Sequence, residues 1–183
     1  MGTQREIVIY PDERLSKVCA PVTEITDEIR ELADDMLETM YKAPGVGLAA
    51  PQVGVHLQMV VYDPSEKDEE RQPRVLINPE VTLTGEPVVS RQEGCLSVPF
   101  GYRADVERSS SIHLKAMGLD GVVFERDIEG FEAIIVQHET DHLKGILFID
   151  RIGRLRRTLF DGKVKKWLKK KQQEEKHQAQ QHS

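Results

Sequence analysis

Two histidines and a glutamate carry the clearest chemical signal in this chain. His138, Glu139 and His142 occur in the segment HETDH, which places the two histidines four positions apart. On an α-helix, residues with this spacing lie one above the other, so both imidazoles can reach one cation. Glu139 would then lie beside that cation as a base for its water. The pattern predicts metal-assisted hydrolysis, although a surface helix with two exposed histidines could carry the same five letters.

The residues just before the first histidine favour a buried helix. Ala133–Val136 are all apolar. A buried pair of imidazoles needs polar partners, and a metal ion supplies them. Asp141 lies between the two histidines in sequence but would point elsewhere. We expect it in a salt bridge or a hydrogen bond around the site rather than as a ligand.

A catalytic zinc-type site needs a third protein ligand and one open position. The zinc-protease pattern HExxHxxGxxH matches at Gly145 but has Phe148 where its third histidine belongs. In the variant with a downstream glutamate, the ligand would be Glu174 or Glu175, which lie in a Lys- and Gln-rich segment. The protease pattern therefore fails at the ligand itself.

The chain has two cysteines, Cys19 and Cys95, and no disulfide framework is expected from so few thiols. Cys95 is the better candidate for the third ligand. It follows Gly94, which permits close approach of the backbone. Cys19 lies between Val18 and Ala20, and we expect it to be a small hydrophobic core residue.

The elements that must position these residues can be outlined from periodicity. Helices are predicted at Thr26–Tyr41, Phe131–Leu143 and Leu155–Lys176. Short strands are predicted at Ile7–Tyr10, His56–Tyr62, Val75–Asn78, Val81–Thr84, Val88–Ser90, Ser111–Met117 and Val122–Arg126. The last two should form a hairpin. The prediction is an α+β fold in which short, mostly antiparallel strands wrap around a central metal-binding helix, with N-terminal and C-terminal helices.

Length and charge predict one domain with a short basic appendage. The 183 residues fit one domain, and no apolar run approaches the 18 residues of a membrane-spanning helix. The polar start lacks the apolar region of a secretory signal, so a cytoplasmic protein without membrane or DNA partners is expected. Residues 151–183 hold eleven Lys and Arg against three Asp and Glu, in a chain of net charge −6. We expect a catalytic domain at 1–153 and a basic C-terminal helix and tail at 154–183.

Three segments together resemble the peptide deformylase family, in the family's order: GVGLAAPQ at 45–52, EGCLS at 93–97 and QHETDHL at 137–143. The resemblance covers about residues 5–155. It implies removal of the formyl group from N-formylmethionyl nascent peptides, with release of formate. It also implies that Cys95, His138 and His142 bind the metal and that Glu139 is the general base and acid.

Further roles follow from the resemblance alone. The side-chain amide of Gln52 and the backbone N–H of Leu96 would stabilise the oxyanion, although Gln52 could instead cap a turn. The residues implied in substrate binding are Val46, Gly47, Glu93, Gly94, Arg103, Phe131, Ile134 and Ile135. Arg103 matches only after a one-residue insertion in Phe100–Tyr102, so it could be an ordinary surface arginine.

The metal and the tail leave alternatives open. Two nitrogen ligands and one sulfur ligand suit Zn²⁺, Fe²⁺, Co²⁺ or Ni²⁺. The resemblance implies one divalent ion, Fe²⁺ in cells, which Zn²⁺, Ni²⁺ or Co²⁺ can replace. The basic tail could be a solvated helix or a contact to ribosomal RNA. A zinc endopeptidase and a non-catalytic, metal-stabilised RNA-binding module remain the rival functions.

Overall fold

The computed structural model describes residues 2–66 and 69–181. Three α-helices cover Asp27–Lys42 (α1), Gly130–Leu143 (α2) and Arg154–Gln181 (α3). The strands of the described chain are Gly47–Ala49 (β1), Met59–Tyr62 (β2), Arg74–Leu83 (β3), Pro87–Glu93 (β4), Ala104–Ser109 (β5), Ser111–Met117 (β6) and Val123–Glu129 (β7). This is the predicted α+β class.

The strands form two separate antiparallel sheets. The larger has the order β1-β2-β3-β6-β7, and the smaller pairs β4 with β5. The predicted hairpin is confirmed, since β6 and β7 pair from Ser111–Glu129 to Met117–Val123. β1 lies at one edge of the larger sheet, and this places the Gly-rich segment of the sequence at an open strand edge.

The larger sheet lies between two helices, and the alternation of its side chains shows why. On one face Leu48, Met59 and Val61 pack with the apolar residues of α1. On the other face Val60 and Tyr62 pack with those of α2. Successive side chains of a strand point to opposite faces, so a strand covered on both sides must be apolar throughout. The all-buried segment MVVY of β2 meets that requirement.

The bounds of the first two helices follow from local chemistry. Thr26 caps α1, because its Oγ1 accepts a hydrogen bond from the Ile29 N–H at 3.4 Å. After α2, Gly145 adopts a φ of +72°, a conformation that favours glycine and stops the helix. α2 is buried from Gln137 to Leu143 without interruption. A helix buried on all sides is a central element, as the sequence predicted for the HETDH segment.

A second core joins α3 to the smaller sheet. Phe160 and Val164 of α3 are buried among apolar residues that include Val106 of β5 and Phe148. The Tyr10 hydroxyl donates a hydrogen bond to Asp161 at 2.8 Å and so ties the N-terminal segment to the same helix. The first three turns of α3 are therefore packed on the smaller sheet and the N-terminal segment.

The predicted strand Ile7–Tyr10 is wrong. The Val8 N–H donates to the Gln52 carbonyl in a short 3-10 helix, the Tyr10 N–H donates to the Ser97 carbonyl in a turn, and the segment is not part of a strand. The two short strands predicted between 75 and 84 are one strand, β3, which is interrupted by a register shift between Ile77 and Glu80. β1 and β5 were not predicted. Within the described residues, no helix is both long and apolar enough to cross a membrane.

Candidate metal centre and active site

Three side chains of types that can bind a metal meet where the turn after β4 approaches α2. One donor atom from each of Cys95, His138 and His142 lies within 4.8 Å of the other two. The Cys95 Sγ is 3.3 Å from the His142 Nε2. The histidines are 8% and 1% exposed, so the alternative of a surface helix with two exposed histidines is wrong.

Glu93 orients the first histidine. Its Oε1 lies 2.7 Å from the His138 Nδ1. Burial alone would raise the pKa of Glu93, but hydrogen bonds from His138 and Arg108 lower it to about 2. The ionised carboxylate can only accept, so the His138 Nδ1 donates the proton of this bond. The Nε2 of His138 is then the nitrogen that remains for a metal.

A buried ion-pair network extends from this carboxylate. The Arg108 guanidinium donates from Nε to Glu93 at 3.2 Å and from Nη1 to Asp141 at 2.6 Å. Asp141 also accepts two hydrogen bonds from Arg151, both of 2.7 Å. Asp141 is thus in the salt bridge that its position predicted. The sequence did not point to Arg108, because β5 was not recognised as a strand.

Glu139 lies in the same buried turn of α2, with its carboxylate directed toward β1. Burial raises its pKa to about 7. Its Oε2 has no hydrogen-bond partner among the described residues. Gly47 is the reason the side chain fits, since a Cβ at that position would overlap the Glu139 carboxylate. An unpartnered buried carboxylate oxygen is costly, and it marks a place for a water or a substrate group.

Gln52 is fixed by three polar contacts and is 1% exposed. Its Oε1 accepts from the Ala49 N–H at 2.8 Å. Its Nε2 donates to the Ser97 hydroxyl at 3.1 Å and faces the Cys95 Sγ at 3.4 Å. The predicted alternative of a turn cap describes only the first contact, because the amide nitrogen is directed into the metal centre. Leu96 follows Cys95, and its N–H has no partner within the described part of the chain.

A cavity of about 540 Å³ opens beside the metal centre. It is lined by every residue predicted to contact substrate: Val46, Gly47, Glu93, Gly94, Arg103, Phe131, Ile134 and Ile135. Phe131 and Val46 are exposed at its walls, at 59% and 46%. Arg103 lies on the cavity despite the local insertion, and its Nη1 donates to the Gln92 carbonyl at 3.1 Å. Tyr102, which the sequence did not single out, also lines it.

The other candidate ligands lie elsewhere. Phe148, at the position of the missing protease histidine, is 1% exposed and packs in the second core. Glu174 and Glu175 lie on the exposed distal part of α3. Cys19 is 3% exposed in the core between the larger sheet and α2, as predicted for a small hydrophobic residue.

The donor set fits a resident divalent cation. The sulfur of the partly buried Cys95 and two buried imidazole nitrogens are gathered in one place, and this combination suits zinc, iron, cobalt and nickel. The hydrogen bond from His138 to Glu93 is the kind of support that metal-binding histidines have. The unpartnered Glu139 oxygen beside the ligands completes a hydrolytic arrangement.

Comparisons with known proteins show which sequences and structures this chain is similar to. A family model described as polypeptide deformylase matches residues 4–158. A peptide deformylase from Afipia carboxidovorans is 49% identical over 165 residues, which are 90% of this chain and 94% of the relative. A crystal structure of a peptide deformylase from Legionella pneumophila superposes with a TM-score of 0.82 at 39% identity, over 92% of this chain and 98% of that one. A Met-Ala-Ser-bound peptide deformylase from Acinetobacter baumannii has a TM-score of 0.78 at 35% identity, over 83% and 100%.

Proposed function

The chain belongs to the polypeptide deformylase family, whose members remove the formyl group from an N-terminal methionine, and we propose how its own residues divide that reaction. It is a metal-dependent hydrolase that converts N-formylmethionyl peptides into formate and a free amino terminus. The observation that carries the assignment of roles is the convergence of Cys95, His138 and His142 beside the buried Glu139 carboxylate.

Cys95, His138 and His142 hold the metal. When bound there, a divalent metal supplies a Lewis acid that lowers the pKa of water and polarises the formyl oxygen. The protein keeps His138 in one tautomer through Glu93, and Arg108 keeps Glu93 ionised. Glu93 also borders the cavity. Its contact with substrate therefore stays a prediction, in addition to its role in orienting His138.

Glu139 moves the proton. It takes a proton from the attacking water and gives it to the amide nitrogen as the bond from the formyl carbon to that nitrogen breaks. Its buried position between the ligands and β1 supports this role, since a base must be within hydrogen-bond reach of the proton that it abstracts. Such transfer contributes about 100- to 10,000-fold to a rate.

The formyl oxygen gains negative charge as water adds, and fixed donors stabilise it. The Gln52 Nε2 and the Leu96 N–H are the donors. Two observations support this assignment. The Gln52 amide has a fixed orientation, and the Leu96 N–H has no hydrogen-bond partner within the described chain. The Gln52 N–H that faces the Cys95 Sγ is the one that turns to the oxyanion, and an amide already held by its other contacts needs little rearrangement to do so.

The cavity receives the methionine and the peptide that follows it. The methionine side chain lies against Val46, Phe131, Ile134 and Ile135, which give the cavity an apolar wall. Backbone groups of Gly47 and Gly94 pair with the peptide as an added strand. Their places, in the edge strand β1 and just after β4, support this. Arg103, whose side chain lies over Gly94, contacts the peptide beside that residue.

One assay tests the assignment. Formate release from an N-formylmethionyl peptide should be measured anaerobically together with metal content, in the wild type, in Cys95→Ala and in Cys19→Ala. We expect Cys95→Ala to lose metal and turnover and Cys19→Ala, a matched loss of a buried thiol, to retain both. Full turnover of Cys95→Ala would refute the ligand assignment. Internal cleavage of an unformylated peptide would instead support an endopeptidase.

We propose Fe²⁺ as the working ion, with Zn²⁺, Ni²⁺ or Co²⁺ as substitutes. A thiolate ligand and an oxidisable metal make such a site sensitive to oxygen. Activity reconstituted with Fe²⁺ should decay in air and be restored by fresh metal. Equal activity that is stable in air with Zn²⁺ alone would argue against iron.

We further propose that residues 1–153 form the catalytic domain and that 154–183 form a basic helix and tail that contacts ribosomal RNA in the cytoplasm. Residues 182 and 183 lie outside the described part of the chain. Support for the contact comes from the exposed lysines of α3, which include Lys165, Lys166, Lys169 and Lys170. Phosphate contacts through such side chains weaken steeply with salt.

The packing of α3 decides how the tail should be tested. A deletion from residue 160 would also remove Phe160 and Val164 from the second core. Replacing the four exposed lysines by glutamine removes charge without touching that core. Co-sedimentation with ribosomes should weaken and lose salt dependence, while hydrolysis of a short formyl peptide is unchanged. Unchanged co-sedimentation would refute the contact.

A further inference from the structure

One wall of the cavity is formed by a loop with an unusual backbone. Gly101, Tyr102 and Arg103 line the cavity, and they follow Phe100 in a short 3-10 turn. Phe100 has a φ of +70°. A bulky residue in this left-handed conformation is strained, and it persists only where the surroundings hold it. The loop therefore needs an anchor.

α3 provides that anchor. The Phe100 ring meets Trp167 edge-on, with centroids 5.5 Å apart and planes at 86°, and it meets Phe160 at 6.4 Å and 67°. The Lys163 ammonium lies 4.7 Å from the centre of the Phe100 ring. Residues 160, 163 and 167 lie on one face of a helix, so the ring is held by a single side of α3.

The same aromatic cluster continues to the metal centre. Tyr102 lies 4.5 Å from Phe160 and stacks on Phe148 at 6.2 Å. Phe148 in turn stacks on the His138 ring at 6.2 Å. Tyr102 is thus fixed between α3 and the core. The aromatic cluster therefore connects α3 to the metal centre, because Phe148 contacts both Tyr102 and His138.

Arg103 is the residue whose placement depends on this wall. Its side chain lies over Gly94, where a Cβ would be 3.4 Å from the Arg103 Cγ. Its only hydrogen bond within the described residues is the one to the Gln92 carbonyl, and it is exposed. One exposed hydrogen bond is weak support for a guanidinium. The backbone that carries Arg103 must therefore hold it over the place where a peptide would pass.

We propose that Phe100 is a positioning residue: its contact with Trp167 and Phe160 fixes the 99–103 wall, and with it Arg103, against the peptide downstream of the formylmethionine. The proposal rests on the proposed function. It adds that the C-terminal helix α3 sets the affinity of the enzyme for extended peptides. A substrate that ends soon after its formylmethionine does not reach the wall. Extended peptide substrates do, through their backbone carbonyls or a carboxylate.

The test compares two substrates and changes each side of the contact. Phe100→Ala and Trp167→Ala should each raise the KM for a formyl-Met-Ala-Ser peptide about three- to tenfold, which corresponds to the loss of an aromatic contact. In both variants kcat, metal content and the KM for formylmethionine amide should stay within about twofold. Phe100→Tyr should restore the wild-type KM. Leu159→Ala, at a position of α3 that is 67% exposed, is the matched control and should behave as the wild type.

Three results would overturn the proposal. The first is an unchanged KM for the longer peptide in both variants, even with a lower Tm, because the contact would then be structural only. The second is a loss of kcat or metal in place of a KM effect. The third is a double variant, Phe100→Ala with Trp167→Ala, whose effect on the KM is the sum of the two single effects in free energy, since contacting residues should be coupled.

A separate readout distinguishes failure of this proposal from failure of the proposed function. Calorimetric titration with the unformylated peptide Met-Ala-Ser measures binding without turnover. The same three- to tenfold weakening is expected in Phe100→Ala. If the wild type released no formate, the proposed function would fail, and this titration would still decide whether Phe100 positions the wall.

Discussion

Replacing Gly47 by alanine should separate turnover from metal binding. The glycine lies in the edge strand β1, directly against the carboxyl group of Glu139. A Cβ built on Gly47 lies 2.7 Å from the Glu139 Cδ and 2.8 Å from its Cγ. Non-bonded carbon atoms prefer separations of about 3.5 Å, so the carboxylate would have to move by about 0.8 Å.

That displacement has little room. Glu139 is 5% exposed and belongs to a turn of α2 that is buried on all sides, so the carboxylate must rotate away from β1. A misplacement of about 1 Å in a reacting group can cost about 100-fold in rate. For Gly47→Ala we expect kcat to fall about 10- to 100-fold, or about 1.4 to 2.7 kcal/mol in activation free energy. Because Glu139 is not among the three ligands, metal content should stay at one per chain.

The assay is steady-state formate release with metal analysis on the same samples. Gly162→Ala is the control, since a Cβ at that helical position meets nothing within 4 Å. It should leave kcat unchanged and raise stability by roughly 0.5 to 1 kcal/mol. A kcat for Gly47→Ala within threefold of the wild type would refute the idea that Gly47 holds Glu139 in place.

Three other predictions follow from the site. The Glu139→Gln variant should keep its metal, while its kcat falls about 100- to 10,000-fold. Loss of metal in this variant would show that Glu139 has a structural role instead. Arg108→Met should remove the guanidinium that neutralises the buried Glu93 carboxylate, while Asp141 keeps its ion pair with Arg151. It should lower the free energy of unfolding by roughly 3 to 5 kcal/mol in urea titration, so an unchanged midpoint would mean that the Arg108 contacts contribute nothing. Burial raises the pKa of Cys19 to about 11, so after chelation only Cys95 should react rapidly with iodoacetamide at neutral pH, and mass spectrometry showing two fast adducts would contradict this.

The sequence predicted those parts of the site that are encoded locally. The spacing of His138 and His142 is sufficient to place both on one helix face, and the apolar residues before them are sufficient to predict burial. Cys95 is different, because 43 residues separate it from His138. Chemistry alone made Cys95 a candidate, and the resemblance to the family's order of motifs made it the predicted third ligand.

The elements that were missed lacked a local signal. β1 has only three residues, so no alternation can be read from it. In β5 the inward positions are Ala104, Val106 and Arg108, and the arginine breaks the apolar pattern. Arg108 can be buried only because Glu93 and Asp141 neutralise it, and these lie 15 and 33 residues away. The strand predicted at Ile7–Tyr10 was wrong for the opposite reason. Its residue types favour a strand, but the segment does not pair with a neighbouring strand in the described structure.

The open edge at β1 also bears on how copies of this chain behave toward one another. Backbone groups that can pair with a formyl peptide can pair with any extended chain, including an unfolded copy of the protein itself, and such edges promote aggregation. Covering the edge would close the cavity. With three residues, β1 offers a template of only about 10 Å. Residues 1–150 also carry 28 acidic against 14 basic side chains, so their repulsion should keep copies apart at low ionic strength. High salt should therefore promote self-association of the catalytic body.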